Sequence, residues 1–158
     1  MRRQDKYPDT KYFHFHNANP HNRITTDCVI RAISTATGID YNTVVMELAE
    51  YQCKTGFDPS EKETYGKYLE SKGWKKYKQP KRHDGTKYTG VAFCEIQQTW
   101  AGDYCNYNHW ECGDAEIRCS DRIVAHIGGH HVVAIVDGKV YDHWNSTGGC
   151  IGNYWIKG

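Results

Sequence analysis

The run His131-Val132-Val133-Ala134-Ile135-Val136-Asp137-Gly138-Lys139-Val140-Tyr141-Asp142 decides how the C-terminal half of the chain folds. His131–Val136 is almost unbroken apolar sequence, the pattern of a strand buried on both faces. Asp137-Gly138 suits the positive backbone angles of a two-residue hairpin turn, so Lys139–His143 should return antiparallel. Upstream, Arg122–Ile127 has strand character and Gly128-Gly129 marks a turn. Downstream, Asn153–Lys157 supplies a last strand. The C-terminal part of the chain therefore predicts an antiparallel sheet.

The N-terminal half has helical periodicity instead. Thr26-Asp27 supplies capping side chains for a helix beginning near Cys28, whose Val29, Ile30, Ile33 and Ala36 make an apolar face and which Gly38 ends. Asp40 caps an amphipathic helix over residues 41–53. Ser60 with Glu63 has the form of a capping box for a third helix over 61–72, stopped by Gly73. Residues 74–88 read as one strand followed by a loop, and Thr89–Gln98 as a short fourth helix. Residues 1–22 form an extended arm in which Phe13 and Phe15 alternate with His14 and His16. Residues 100–120 lose all periodicity and are rich in Cys, Asn, Trp and Gly; they read as an insertion placed before the His131 strand, where it would border a cleft. The expectation is α+β, N-terminal helices packed on a C-terminal antiparallel sheet, in one domain spanning 1–158.

Composition narrows the functional classes. Apolar residues make up 39% and charged residues 25%, the balance of a globular domain. A formal charge of +1 carries no general attraction to nucleic acid or an anionic membrane. The basic stretch Lys72, Lys75, Lys76, Lys78, Lys81 and Arg82 reads as a solvated strand and loop. No apolar run reaches the ~20 residues of a membrane span, and the charged N-terminus lacks an export signal. Seven cysteines, an odd number, then predict reduced thiols in a cytoplasmic monomer.

Three residues carry candidate chemistry. Cys28 stands at a helix N-terminus, where free backbone N–H groups favour a thiolate. His131 opens the stiff central strand of the hairpin and is placed to serve as base. Asp142 ends the return strand, close enough to orient the imidazole. His130 competes with His131, but strand alternation puts the two on opposite faces, so only one should meet the cleft. Asn145 competes with Asp142. A second group, Cys94, Cys105, His109, Cys112 and Cys119, contains zinc-type ligands in the spacing Cys105-x3-His109-x2-Cys112-x6-Cys119. It lacks the usual two-residue Cys knuckles, so packed or reduced thiols are preferred to zinc or a disulfide. No cofactor is called for.

The ordered set of Cys28 at a helix start, His131-Val-Val-Ala-Ile-Val on a strand, and Asp142-His143-Trp144 resembles the papain-like cysteine peptidase superfamily. In that superfamily an amide side chain six residues before the nucleophile donates to the oxyanion; Asn22 stands there in place of the usual Gln. Asp142-His143-Trp144 matches the motif of orienting residue, any residue, shielding Trp, with Asp as in bacteriocin-processing peptidases. The stretches Gly129–Ser146 and Gly152–Trp155 also look like small papain-like proteins encoded by phages and bacteria. Papain's Gly-Ser-Cys-Trp is replaced by Thr26-Asp27-Cys28-Val29. The resemblance covers residues 22–36 and 122–157. It implies a thiol hydrolase acting on protein or peptide through an acyl-enzyme, with Asn22, Cys28, His131 and Asp142 catalytic and Trp144 and Asn145 at the substrate. Acyl transfer to an amine, as in transglutaminase-like relatives, and a non-catalytic binding protein on the same scaffold are the alternatives.

Overall fold

The computed structural model describes residues 1–99, 117 and 121–158. Along the chain come α1 (Arg3–Lys6), β1 (Phe13–Phe15), α2 (Cys28–Thr37), α3 (Tyr41–Thr55), α4 (Lys62–Ser71), β2 (Trp74–Tyr77), α5 (Gly90–Thr99), β3 (Ile123–Ile127), β4 (His131–Val136), β5 (Lys139–Asp142) and β6 (Ile151–Lys157). The result is a mixed α+β fold around one six-stranded sheet, in the order β1-β5-β4-β3-β6-β2.

The hairpin forms as its sequence demands. Asp137 and Gly138 both take positive φ, 53° and 70°, and Val136 pairs with Lys139 across the turn. β3 and β4 are the inner strands, and successive side chains go to opposite faces. Ile123, Ala125, Ile127, Val133 and Ile135 pack with Phe93, Tyr88 and Tyr154 on one face. Val124, Val132, Ala134 and Val136 pack with α2, α3 and α4 on the other, around Trp155, Tyr65, Tyr68, Ile33 and Leu48. Burial on both faces is why β4 shows no polar alternation.

Two helix stops obey the glycine rule: Gly38 and Gly56 are left-handed, at φ 77° and 76°, and their N–H groups close onto Ser34 and Gln52. Asp40 caps α3 by accepting from the N–H groups of Asn42 and Thr43. The other two expected caps differ. Asp27 holds the cap position of α2 but its side chain makes no capping bond. Ser60 bonds to Asp58, and α4 starts at Lys62 without a side-chain cap, because Asp58 competes for the same hydroxyl.

The sheet also departs from an all-antiparallel C-terminal expectation. The arm strand β1 runs parallel to β5, with Phe13 opposite Val140 and Phe15 opposite Asp142, and β2 closes the far edge against β6. Long-range pairing of this kind leaves no local pattern. Among the described residues no helix is long and apolar enough to cross a membrane. Cys105, His109, Cys112 and Cys119, and the expected insertion apart from Ile117, lie outside the described residues. Cys94 is a core residue of α5, its thiol pushed up to about 12 by burial.

Candidate active site

α2 packs across β4 on the helical face of the sheet, and this brings the first residue of the helix to the first residue of the strand. Cys28, half-buried, lies beside the His131 ring and the backbone N–H of Val132, and both act on its thiol. His131 Nε2 lies 2.5 Å from Asp142 Oδ2. An ionised carboxylate can only accept, so Nε2 carries a proton and Nδ1 is left to face the sulfur. Three of the expected residues therefore meet in the order Cys28, His131, Asp142.

Their electrostatics follow from that geometry. Burial pushes the Cys28 thiol up. The bonds from His131 and Val132, with the charges of His131 and Arg31, outweigh burial and leave it below its ordinary value. Burial opposes the His131 cation, yet its bonds to Asp142 and Cys28 and their charges raise it to about 9. Asp142 is fully buried, which alone would favour the acid, but His131, Arg31 and Ser146 hold it below the usual carboxylate range. Each of the three charges thus favours the next: the carboxylate favours the imidazolium, and the imidazolium favours the thiolate.

Cys28 opens onto a cavity of about 390 Å³ whose walls include Glu61, Lys62, Tyr65, His126 and His130. His130 thus also meets the cleft. It sits in the turn before β4, so strand alternation does not exclude it, but Asp142 is bonded to His131. His131 itself lines a smaller cavity of about 280 Å³, together with Trp144, Asn145, Ser146 and the glycines 128, 129, 148 and 149. The Trp144 ring lies 5.1 Å from that of His131, tilted by 40°. Asn145 turns its side-chain oxygen inward to the N–H and hydroxyl of Thr147. A third cavity of about 440 Å³, lined by Lys72, Trp74 and Arg122 among others, contains none of these groups. Arg122 there is engaged by the carbonyls of Thr35 and Ala36.

Asn22 is placed elsewhere. It is exposed in a surface turn with φ 53°, its side-chain oxygen 3.5 Å from Asn17 Nδ2, and it is not among the residues lining the cavity at Cys28. Spacing along a loop does not determine where the loop carries a side chain.

Sequence reading missed Arg31 and Ser146. Arg31 is buried on α2, donating from Nε to Asp27 Oδ1 at 2.7 Å and from Nη1 to Asp142 Oδ1 at 2.9 Å. Asp27 also accepts from Tyr41 at 2.6 Å and Asn19 at 3.1 Å, which is why it does not cap its own helix. Ser146 Oγ donates to Asp142 Oδ2 at 2.8 Å. The signal was there for Arg31: a lone cation inside the apolar run Val29–Ile33, four residues after an aspartate. Comparison with protein-family models, with curated proteins and with solved structures finds no match to this chain.

Proposed function

We propose that the chain is a cysteine hydrolase of papain-like mechanism, cleaving an amide or related acyl bond of a protein or peptide. The observation that supports this reading is the Cys28–His131–Asp142 relay: a thiol held below its ordinary pKa, a bonded imidazole held above its own, and a buried carboxylate fixing the second ring nitrogen. The thiolate would attack the acyl carbonyl, forming a C–S bond and placing negative charge on the oxygen. Cys28 is the first residue of α2, so its own N–H has no partner within the helix and is available to that oxygen. His131 then gives its Nδ1 proton to the leaving amine as the C–N bond breaks. Water, deprotonated by the now neutral imidazole, releases the acid and restores the thiolate. Asp142 keeps its charge throughout and stabilises the imidazolium.

The cavities divide this chemistry. The acyl side of the substrate belongs in the polar cavity at Cys28, and the leaving amine in the one at His131 beside Trp144.

Thiol labelling tests the reading. Iodoacetamide at neutral pH should modify Cys28 before the other six cysteines, by peptide mapping, and His131→Ala should slow that step at least about tenfold. Labelling of Cys28 no faster than in the unfolded chain would remove the thiolate from the proposal. An electrophilic peptide panel, with Cys28→Ala as control, would then give the acyl preference.

A further inference from the structure

Arg31 lies between two buried carboxylates, one of which belongs to the relay. Its side chain is 6% exposed, that of Asp27 6% and that of Asp142 0%. Burial of this kind is costly for each charge taken alone, and leaving one of them unpaired costs several kcal/mol. Nothing in packing requires a cation at this point of α2, whose neighbours Val29, Ala32 and Ile33 are core residues. The fork shape of guanidinium, in contrast, suits a bridge between two acceptors in fixed directions.

We propose that Arg31 is a positioning residue of the active site: it holds Asp142 anionic and aimed at His131 while the imidazole gains and loses its proton. This role rests on the cysteine-hydrolase reading above. When His131 is protonated, Asp142 has two cations beside it. When His131 has given its proton to the leaving amine, Arg31 is the cation that remains. With Arg31 absent, the carboxylate would have only His131 to neutralise it, and would bind the imidazole proton too tightly to let it leave. Asp27 tempers the effect from the other end of the fork, because half of the guanidinium's bonding is spent on it.

The charged and titratable groups facing Arg31 come from every element around it. Asp27 and Cys28 belong to the start of α2 and Tyr41 to α3; His16 follows β1, and Asp142 and His143 lie at the end of β5. His131 on β4 reaches it through Asp142. His16 is depressed by burial and then by the charges of His14 and Arg31, and His143 by burial and then by Arg31, so both are neutral near pH 7 and do not compete with it.

The test is the pH profile of Cys28 alkylation by iodoacetamide, which needs no substrate. The wild-type rate should show two inflections. The lower marks thiolate formation beside protonated His131, and the upper marks loss of the imidazole proton. Arg31→Met removes a positive charge from both equilibria, so both inflections should move to higher pH, by roughly one unit. Arg31→Lys restores the charge without the fork and should bring both back toward wild type. Asp27→Asn removes a negative charge from the same network and should move both to lower pH, a sign that disruption of the fold does not produce. If Arg31→Met does not fold, the Asp27→Asn shift alone decides. Inflections unmoved in the folded variants, with wild type showing both, would overturn the role of Arg31 and leave the relay standing. A wild-type profile without the lower inflection would overturn both.

Discussion

Asp142 accepts four hydrogen bonds with two oxygens. His131 Nε2 and Ser146 Oγ reach Oδ2, while Arg31 Nη1 and the backbone N–H of His143 reach Oδ1. Every partner is a donor, and this makes the site intolerant of an amide. Asp142→Asn keeps the shape but deletes the charge and turns one acceptor into a donor facing donors. It also leaves Arg31 buried with one carboxylate instead of two. The variant should be less stable by roughly 3–5 kcal/mol in urea unfolding, and its His131 should lose the upward shift, so that neutral-pH labelling of Cys28 falls. Stability equal to wild type would mean that Asp142 is uncharged in the native protein. Ser146→Ala removes one neutral donor of the four and should cost only about 1 kcal/mol. His131 and Asp142 were readable in the sequence because a tight hairpin ties positions eleven apart in the chain to neighbouring places in space. Asn22 and Arg31 were not, for opposite reasons. Asn22 had the right spacing on a loop whose course the sequence leaves free, and Arg31 had no motif, only an anomalous charge on an apolar helix face.

At the scale of elements, the segment after β5 matters as much as the strands. Residues 144–149 carry Trp144 to the face of His131 and Ser146 to Asp142. The start of α5 fixes this loop: the N–H of Gly90 donates to Gly149 at 2.9 Å and that of Val91 to Thr147 at 3.1 Å. Contact is close enough that a Cβ on Gly90 would lie 2.9 Å from the Thr147 carbonyl oxygen and 3.0 Å from Ile127 Cδ1. The first is backbone, which cannot rotate aside as a side-chain end can. Gly90→Ala should therefore push the loop away, costing roughly 1–3 kcal/mol as an overpacking change, and should slow Cys28 labelling by disturbing Ser146 and Trp144. Gly148→Ala, in the same loop with open space around it, is the control and should leave both measurements near wild type. Equal behaviour of the two variants would show that α5 does not support the site. Element types were readable here because periodicity is strong in α2, α3, β3 and β4. The caps were less so: Asp27 had the residue type of a cap, but Arg31, Tyr41 and Asn19 hold its carboxylate, and the amides at the start of α2 receive no bond from it.

Across the whole molecule, the N-terminal arm binds the edge of the sheet at the same end as the relay. Alternation of Phe13 and Phe15 announced a strand, but nothing local announced that it would run parallel to β5, since pairing partners so far apart share no sequence pattern. β1 covers what would otherwise be an exposed strand edge. Its ties end on the stretch that carries Asp142: the N–H of His16 donates to the Asp142 carbonyl at 2.8 Å, and Arg3 Nε donates to the His143 carbonyl at 2.5 Å. Phe13, fully buried, anchors the strand. Two kinds of support are present, apolar burial and backbone bonds to residues 142 and 143, and two variants separate them. Phe13→Ala should lower stability by roughly 3–5 kcal/mol while keeping the backbone ties, so the folded protein should still label rapidly at Cys28. Deletion of residues 1–16 removes both; it should lower the thermal midpoint, promote association through the bared β5 edge, and slow Cys28 labelling of the folded fraction severalfold. Labelling of the truncated protein at the wild-type rate would reduce the arm to a cover for the sheet edge, with no part in holding Asp142.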